Sequence, residues 1–414
     1  MSKKTWFYSA TAAVTVLSLF LVPWAGAAER QDVSSDSMIE KEIAVYSHWL
    51  EDAYGAVAEE RALMNDDLEQ PTAKEREVID GQTDYIVNAF VTSGLSIEDA
   101  SVSFRIGSMT QSGSKYVVSA EITTKITYSR IDENMQVVHD ACWWTDPHVI
   151  TIADGREDAK TGSGDFLGNY EVISDGISSE IDDESERDAS GTSDEGDTSK
   201  GVTYEEALAL RPKGGELEIN PATAGTPSIP YYMKGVRYAL KWTDYPYSGD
   251  EKSDFNPDYP YFENNCTNFI SQAIHESDVP YRTAISVDTK DINLWTPNLM
   301  FGKPTWTWNN ADYSYRFMKN TYFKAFDSPW MDVGGLIYVD WNGKDNDNTK
   351  NHAMIVTQAD RSYVNGKMIF NTYISQKTNN RHNIPLSVEM GIAYQTHPDA
   401  TWYGLGLRWQ QFYN

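Results

Sequence analysis

The segment "NNCTNFISQAI" places a cysteine at the start of a predicted helix, a position that favours a nucleophilic thiolate. Asn264 and Asn265 are good N-cap residues, and the apolar stripe that follows has helical spacing and consists of Phe269, Ile270, Ala273 and Ile274. Cys266 then lies in the first turn, where the helix dipole lowers the pKa of a thiol. Two alternatives stay open: Cys266 is a small buried core residue, or it forms a disulfide with Cys142.

A cysteine nucleophile needs a base. His275 is excluded, because helix phase places it on the face opposite Cys266. His352 begins the alternating stretch "HAMIVTQAD", a predicted strand, and from there it can meet the tip of a helix packed on the same sheet. A strand-edge histidine with a purely structural role is the alternative for His352, and His397 is a second candidate for the base. The remaining histidines lie in a polar loop or in the first half of the chain and are His48, His139, His148 and His382.

A tight hairpin after this strand predicts a group that orients the base. Asn365-Gly366 favours a two-residue type I′ turn, and the register it sets places Asn379 opposite His352. A side-chain amide beside the imidazole holds a catalytic histidine in the required tautomer. A single bulge would transfer this role to Thr378 or Asn380.

The elements that carry these residues predict an α+β fold. Helical spacing predicts one helix from Ser37 to about Leu68 and a second in "AKEREVIDGQTDYIVNAFVTSG". Three stretches that alternate with period two, among them "KYVVSAEITTKITYSRI", predict an antiparallel meander. We expect an N-terminal α+β domain of unknown role at 36–173, a disordered acidic linker at 174–214, and a catalytic domain at 215–414.

Composition indicates an exported protein. Residues 1–28 combine lysines, an uncharged apolar run and a small-residue cleavage site, as in a secretory signal peptide; an uncleaved anchor is the alternative. The net charge of −27 weighs against nucleic acid and against anionic membrane partners. We expect a secreted, extracellular or cell-wall-associated protein that binds no membrane after cleavage. The sequence does not indicate an oligomeric state.

Several motifs between Ile229 and Tyr413 carry a resemblance to a known family. They are "NNCTNFISQAI", "KGVRYALKWTDYP", "LWTPNLMFGKPTWTWNN", the pair "GGLIYVDW" and "NHAMIVTQ", and "YISQKTNNRHNIPL". The first resembles the "DCTNFVSQ" block of an amidase domain family of secreted bacterial proteins, which are papain-like cysteine hydrolases. The resemblance implies a helix carrying the cysteine packed on an antiparallel sheet, and hydrolysis of an amide bond through a thioester without metal or cofactor.

By this resemblance Cys266 corresponds to the nucleophile and His352 to the base, and the third polar residue falls near Asn379. Two residues depart from the family pattern: Asn265 stands where an aspartate is usual, and Lys377 where a histidine is usual. Neither change removes the nucleophile or the base.

The surroundings of the cysteine must also supply an oxyanion donor and walls for the substrate. The donor would be the backbone N–H of Cys266 together with one nearby side chain. The aspartates of "DWNGKDNDN" lack EF-hand spacing and predict a solvated loop without metal. The candidates are Tyr259, Tyr261 and Asn264 for the side-chain donor, and Trp306 and Trp308 for the cleft, with core packing as the alternative for the tryptophans.

The leading functional hypothesis is a cysteine amidase or peptidase that cleaves peptidoglycan stem peptides or another extracellular peptide. A second hypothesis is a catalytically inactive protein that binds the cell wall or another surface on the same scaffold. A third is acyl transfer to an amine from the same acyl-enzyme.

Overall fold

The computed structural model describes residues 35–55, 71–154, 170–177, 201–213, 232–244, 254–299, 302–343 and 349–407. The predicted signal peptide lies outside these residues. In the described part of the chain, none of the helices combines the length and the apolar character needed to cross a membrane.

The described strands form one large antiparallel sheet. They are β1 (Leu95–Ser112), β2 (Lys115–Ile131), β3 (Val137–Asp154), β4 (Tyr170–Ile177), β5 (Phe323–Phe326), β6 (Leu336–Asp340), β7 (His352–Val364), β8 (Lys367–Gln376), β9 (Arg381–Pro385) and β10 (Thr401–Leu407). Their order is β1-β2-β3-β9-β8-β7-β6-β10-β5, and β4 also pairs with β3.

Helices accompany this sheet, so the predicted α+β class is confirmed. They are α1 (Ser35–Gly55), α2 (Ala73–Thr92), α3 (Tyr204–Ala209), α4 (Tyr232–Thr243), α5 (Cys266–Glu276), α6 (Trp306–Asn309), α7 (Ala311–Thr321) and α8 (Leu386–Thr396).

The helices pack against both faces of the sheet. Successive side chains of a strand point to opposite faces, and in β6 Ile337 and Val339 join a core that contains residues of α1, α2 and α8. Leu336 and Tyr338 instead join a second core, formed with α4, α5 and α7. A strand buried on both faces reads as a continuous apolar run, as the sequence of β6 does. The helix that carries Cys266 therefore packs on one face, and α2 and α8 lie on the other.

The N-terminal elements follow the predicted order of two helices and a meander. Helix α2 begins with a capping box in which the Thr72 hydroxyl accepts from Glu75 N and the Glu75 carboxylate accepts from Thr72 N. Strands β1, β2 and β3 then pair as consecutive neighbours. Helix α1 ends at Gly55 in the described chain, and the rest of the helix predicted to about Leu68 lies outside it.

The sheet runs without a break from the N-terminal strands into the C-terminal ones. Strand β3 pairs with β9 through Trp143 and His382 and through Trp144 and Arg381. Arg130 of β2 also forms an ion pair with Asp360 of β7, with a nitrogen–oxygen distance of 2.9 Å. The two predicted domains are therefore joined edge to edge by backbone hydrogen bonds and by a half-buried ion pair.

The predicted disordered linker differs from the structure at both ends. Residues 174–177 belong to β4, and they pair with β3. Helix α3 begins with a second capping box, between Thr203 and Glu206, and Ala207 is fully buried. A cap and an apolar contact order these segments, because they offset the entropy of fixing an acidic chain. The middle of the predicted linker lies outside the described residues.

Candidate active site

Cys266 is the first residue of helix α5 and is only 6% exposed. Asn265 precedes the helix, but its side chain does not cap it. The Asn265 Oδ1 accepts instead from Asn268 Nδ2 at 2.8 Å, and the Asn265 N–H donates to Thr378 Oγ1 at 2.7 Å. This second bond fastens the start of α5 to the turn between β8 and β9. The thiol therefore lies at the positive end of a helix whose N-terminus is held against the sheet.

His352, the first residue of β7, lies beside this thiol. Burial alone would raise the pKa of Cys266, but the charge of His352 and hydrogen bonds from His352, the Thr267 hydroxyl and the Ala353 N–H lower it below its ordinary value. Burial alone would lower the pKa of His352, but the charge of Cys266 and a hydrogen bond with it raise that pKa. Opposite shifts in two touching groups favour a thiolate–imidazolium pair.

The imidazole is held between a neighbouring strand and an aromatic ring. His352 pairs with Val339 of β6, which fixes its backbone. The ring of Trp341 lies against it, with 5.5 Å between ring centroids. His352 is only 2% exposed, so solvent screens its charge weakly.

Gln376, the last residue of β8, supplies the third polar group. Its side chain lies beside the imidazole and contributes to the raised pKa of His352. His352 Nε2 and Gln376 Oε1 are both buried and make no hydrogen bond of normal length to the described residues. We infer that these two atoms face each other, at the longer separation common in catalytic hydrogen bonds before substrate binds.

The prediction of Asn379 for this role differs from the structure because of a β-bulge. The hairpin pairs Val364 with Lys367 as predicted, but the register shifts between Val356 and Gln358. Beyond the shift, Ile355 pairs with Ser375, so Gln376 becomes a diagonal same-face neighbour of His352. Asn379 lies in the following turn with a φ of 56°, and its carbonyl accepts from Gln376 Nε2 at 3.3 Å.

The two named alternatives for a bulged hairpin occupy other positions. The Thr378 hydroxyl accepts from Asn265 N, and Asn380 Nδ2 donates to Thr243 O at 3.3 Å. Strand β8 ends at Gln376, two residues before Thr378, and its pairing with β7 ends at Ile355 and Ser375. The sequence pattern did not indicate Gln376.

The other histidines weighed as bases have different partners. His275 Nδ1 bonds with Val279 O at 2.8 Å, beyond the C-terminal end of α5. His397 stacks on Trp341, the same residue whose ring lies against His352, with 5.0 Å between the ring centroids of His397 and Trp341. His382 bonds with Thr243 Oγ1 at 3.0 Å, and burial lowers its pKa.

The predicted oxyanion donors are not all directed at the cysteine. Tyr259 donates to Glu276 at the opposite end of α5, with 2.9 Å between oxygens, so it is not available as a donor. Tyr261 packs its ring on Phe255, and Asn264 is half-buried next to the helix start. The structure adds Asn265, whose Nδ2 is buried and makes no hydrogen bond within the described chain. This amide adjoins the Cys266 backbone and can donate to an oxyanion there.

The predicted tryptophan walls belong mostly to the core. Residues Trp306–Asn309 form the short helix α6 and not a strand. Trp308 is fully buried and donates from Nε1 to Asn268 Oδ1 at 2.6 Å, so it supports α5 from beneath and does not line an open cleft. Trp306 packs on Tyr313, with Lys290 over its ring. An alternation across only a few residues cannot separate a strand from a single helical turn.

Cys142 and Cys266 are both free and buried, so the disulfide alternative is wrong. Burial raises the pKa of Cys142 well above its ordinary value, in contrast to Cys266. Among the described residues no three His, Cys, Asp or Glu side chains are grouped to hold a metal ion. Two of the three loop aspartates, Asp345 and Asp347, lie outside the described residues, and Asp340 Oδ1 accepts from Asn342 N at 3.0 Å.

Comparison with known families supports the resemblance. Residues 231–398 match the family model described as "Putative amidase domain", and this segment contains Cys266, His352 and Gln376. The predicted family is thereby confirmed for this part of the chain. No curated protein and no solved structure matches the chain.

Proposed function

We propose that the protein hydrolyses an amide bond with Cys266 as nucleophile and His352 as general acid and base. The observation that carries the proposal is the buried Cys266–His352 pair at the start of α5, with a lowered thiol pKa and a raised imidazole pKa. The match of residues 231–398 to an amidase family model supports the reaction class. The helix-on-sheet arrangement supports the proposal that the domain is papain-like.

In the proposed reaction the Cys266 thiolate attacks the carbonyl carbon of the amide, and the carbonyl electron pair moves onto oxygen. The tetrahedral intermediate then breaks its C–N bond while the imidazolium gives its proton to the leaving nitrogen. A thioester remains on Sγ beside a neutral imidazole. The imidazole next takes a proton from water, the resulting nucleophile breaks the thioester C–S bond, and the carboxylic acid product leaves.

The oxyanion of each intermediate needs donors aimed at the place where charge develops. We propose the Cys266 backbone N–H and the Asn265 Nδ2 as these donors, because Asn265 precedes Cys266 and its Nδ2 has no hydrogen-bond partner among the described residues. Asn265 departs from the usual aspartate of the family, and an amide can donate where an ionised carboxylate cannot. The departure is therefore compatible with catalysis.

For the substrate we propose a peptide amide outside the cell, with peptidoglycan stem peptides as the first choice. The motif resemblance and the predicted signal peptide support this choice. The buried acid side chains around the site do not select a substrate by charge, because each is already paired within the protein.

The test is digestion of purified peptidoglycan followed by mass spectrometry of the released fragments. We compare wild type with Cys266→Ala, and use Cys142→Ala as the matched control because it removes the other buried free thiol. We expect new amine and carboxylate ends with wild type and with Cys142→Ala, and none with Cys266→Ala. Equal release by wild type and Cys266→Ala would refute a cysteine mechanism. Hydrolysis of other peptides, but not of peptidoglycan, would refute only the substrate.

A further inference from the structure

The orientation of the Gln376 amide is fixed by groups behind it. Its Nε2 donates to the Asn379 carbonyl at 3.3 Å and to Glu389 Oε1 at 3.5 Å. A carbonyl and a carboxylate accept hydrogen bonds and do not donate them, so the NH₂ end of the amide must point to them. Oε1 is thereby directed to His352, which requires a proton on the facing ring nitrogen.

Glu389 is in turn held by a fully buried arginine. Arg381 Nε donates to Glu389 Oε2 at 2.6 Å, and Nη2 donates to Asp146 Oδ1 at 2.7 Å. Nη1 donates to the Thr145 carbonyl at 3.0 Å. All three charged side chains are at most 3% exposed. Asp146 and Thr145 belong to β3, a strand of the N-terminal half, so a chain of hydrogen bonds runs from that half to Gln376.

We propose that Glu389 is a positioning residue for His352, acting through Gln376, and that the N-terminal half holds it in place through Asp146 and Arg381. The inference rests on the proposed function and deepens it. On this proposal the N-terminal strands help to form the Cys266 thiolate, through Asp146 and Arg381, and are not a separate binding domain.

The mechanism of positioning combines hydrogen bonding and charge. The Glu389 carboxylate and the Asn379 carbonyl both accept from the Gln376 amide. Only the orientation with Nε2 toward them gives both Nε2 hydrogens an acceptor. Glu389 also lies close enough for its negative charge to favour the imidazolium. Arg381 is the cation that faces Glu389. Cys266 faces His352, and Tyr338 of β6, whose hydroxyl bonds with Ser314 Oγ at 2.9 Å, lies near Cys266.

Replacement of Glu389 by glutamine retains the shape and removes the charge. Arg381 accepts no hydrogen bond, so the new amide must turn its oxygen to Arg381 and its NH₂ group to Gln376. Two NH₂ groups then face each other, and the Gln376 amide is driven to reverse. His352 then meets a donor where it met an acceptor, and the imidazolium is disfavoured.

The experiment measures the rate of iodoacetamide alkylation of the Cys266 peptide against pH, by mass spectrometry, in the full chain. The alkylation rate falls on the acidic side of this pH profile as the thiolate is protonated, and we call that side the acidic limb. For Glu389→Gln we expect the acidic limb to move to higher pH by about one unit, the low end of the pKa shift that one nearby charge produces. The alkylation rate on that limb then falls about tenfold. Asp146→Asn should move the limb in the same direction by a smaller amount, because it acts through Arg381.

The matched control is Asp360→Asn. Asp360 is also a carboxylate of low exposure, with 12% of its side chain exposed, and its ion pair with Arg130 joins the two halves of the sheet. It lies eight residues along β7 from His352, about 26 Å at the usual strand rise. This variant should lose stability and keep the alkylation profile of wild type.

The outcomes separate the two proposals. A wild-type acidic limb at the ordinary thiol pKa contradicts the proposed function. A lowered wild-type limb that stays unchanged in folded Glu389→Gln, or that moves equally in Asp360→Asn, overturns the positioning role alone. If Glu389→Gln does not fold, Asp146→Asn decides: an unshifted limb in that variant overturns the proposal.

Discussion

Removal of the Gln376 side chain should weaken the thiolate–imidazolium pair. Gln376→Ala leaves the proton of the His352 imidazolium without its acceptor in a site where both residues are 2% exposed. A hydrogen bond to a charged group contributes about 1.5–3 kcal/mol, and one pKa unit corresponds to about 1.36 kcal/mol. Because His352 Nε2 and Gln376 Oε1 each make no hydrogen bond of normal length to the described residues, we take the lower end and expect a change of about one unit.

The direction follows from which state loses the bond. The lost acceptor destabilises the imidazolium, so the pKa of His352 falls and the pKa of Cys266 rises. The pH range in which the ion pair exists narrows from both sides. Ultraviolet absorbance of the thiolate during a pH titration measures the acidic limit directly, and we expect that limit to move up by about one unit.

The control for this titration is Gln358→Ala. Gln358 also lies on the β7–β8 hairpin, but its Nε2 donates to Asp140 Oδ2 at 3.1 Å and to Asp360 Oδ2 at 3.0 Å, in a network separate from His352. It should leave the thiolate titration unchanged. A folded Gln376→Ala protein that titrates like wild type, or equal pKa shifts in the two variants, would contradict a role of Gln376 in stabilising the imidazolium.

Three further predictions concern packing and the second thiol. Gly235→Ala in α4 should lower the free energy of unfolding by about 1–3 kcal/mol, because the new Cβ would lie 2.2 Å from the Ala273 carbonyl oxygen of α5; urea unfolding measures it. Gly81→Ala in α2 should raise that free energy by about 0.5–1 kcal/mol, since nothing lies within 4 Å of its added Cβ; a loss of stability there would contradict the open position. Cys142 should resist alkylation at neutral pH in the folded protein, because burial raises its pKa; rapid labelling of its peptide would contradict its burial.

The positions of the proposed nucleophile and base, at a helix start and at a strand start, could be predicted from sequence because each depends on a local pattern. The helical stripe after Cys266 fixed both its place at the helix start and the exclusion of His275. Period-two alternation fixed His352 at the start of a strand. Such patterns reflect which face of an element is buried, and that information is present in a single segment.

The third polar group could not be predicted, because it depends on a tertiary contact. Thr357 lies at the shift in register, and its hydroxyl donates to Asn383 Oδ1 of β9 at 3.0 Å. Asn383 has a φ of 47°, so β9 is itself distorted at this point. A hairpin alone contains no signal for a bulge that a third strand stabilises.

Helix α3 could have been predicted, since "TYEE" at Thr203–Glu206 has the spacing of a capping box. The acidic composition around it favoured a disordered segment instead. The junction of β3 and β9 is different, because two residue pairs leave no recognisable pattern in either segment. The hydrogen bonds from Asp146 to Gln376 could not be predicted, because they depend on that junction, which places Arg381 between two carboxylates.

Stabilisation of the Cys266 thiolate by the His352 imidazolium is central to the proposed function, and the most direct test compares wild type with His352→Ala. The measurement is the rate constant for alkylation of the Cys266 peptide by iodoacetamide as a function of pH. We predict a wild-type acidic limb below the free-thiol pKa of about 8.5, and a limb at or above that value in His352→Ala. Identical limbs in the two folded proteins would contradict the account.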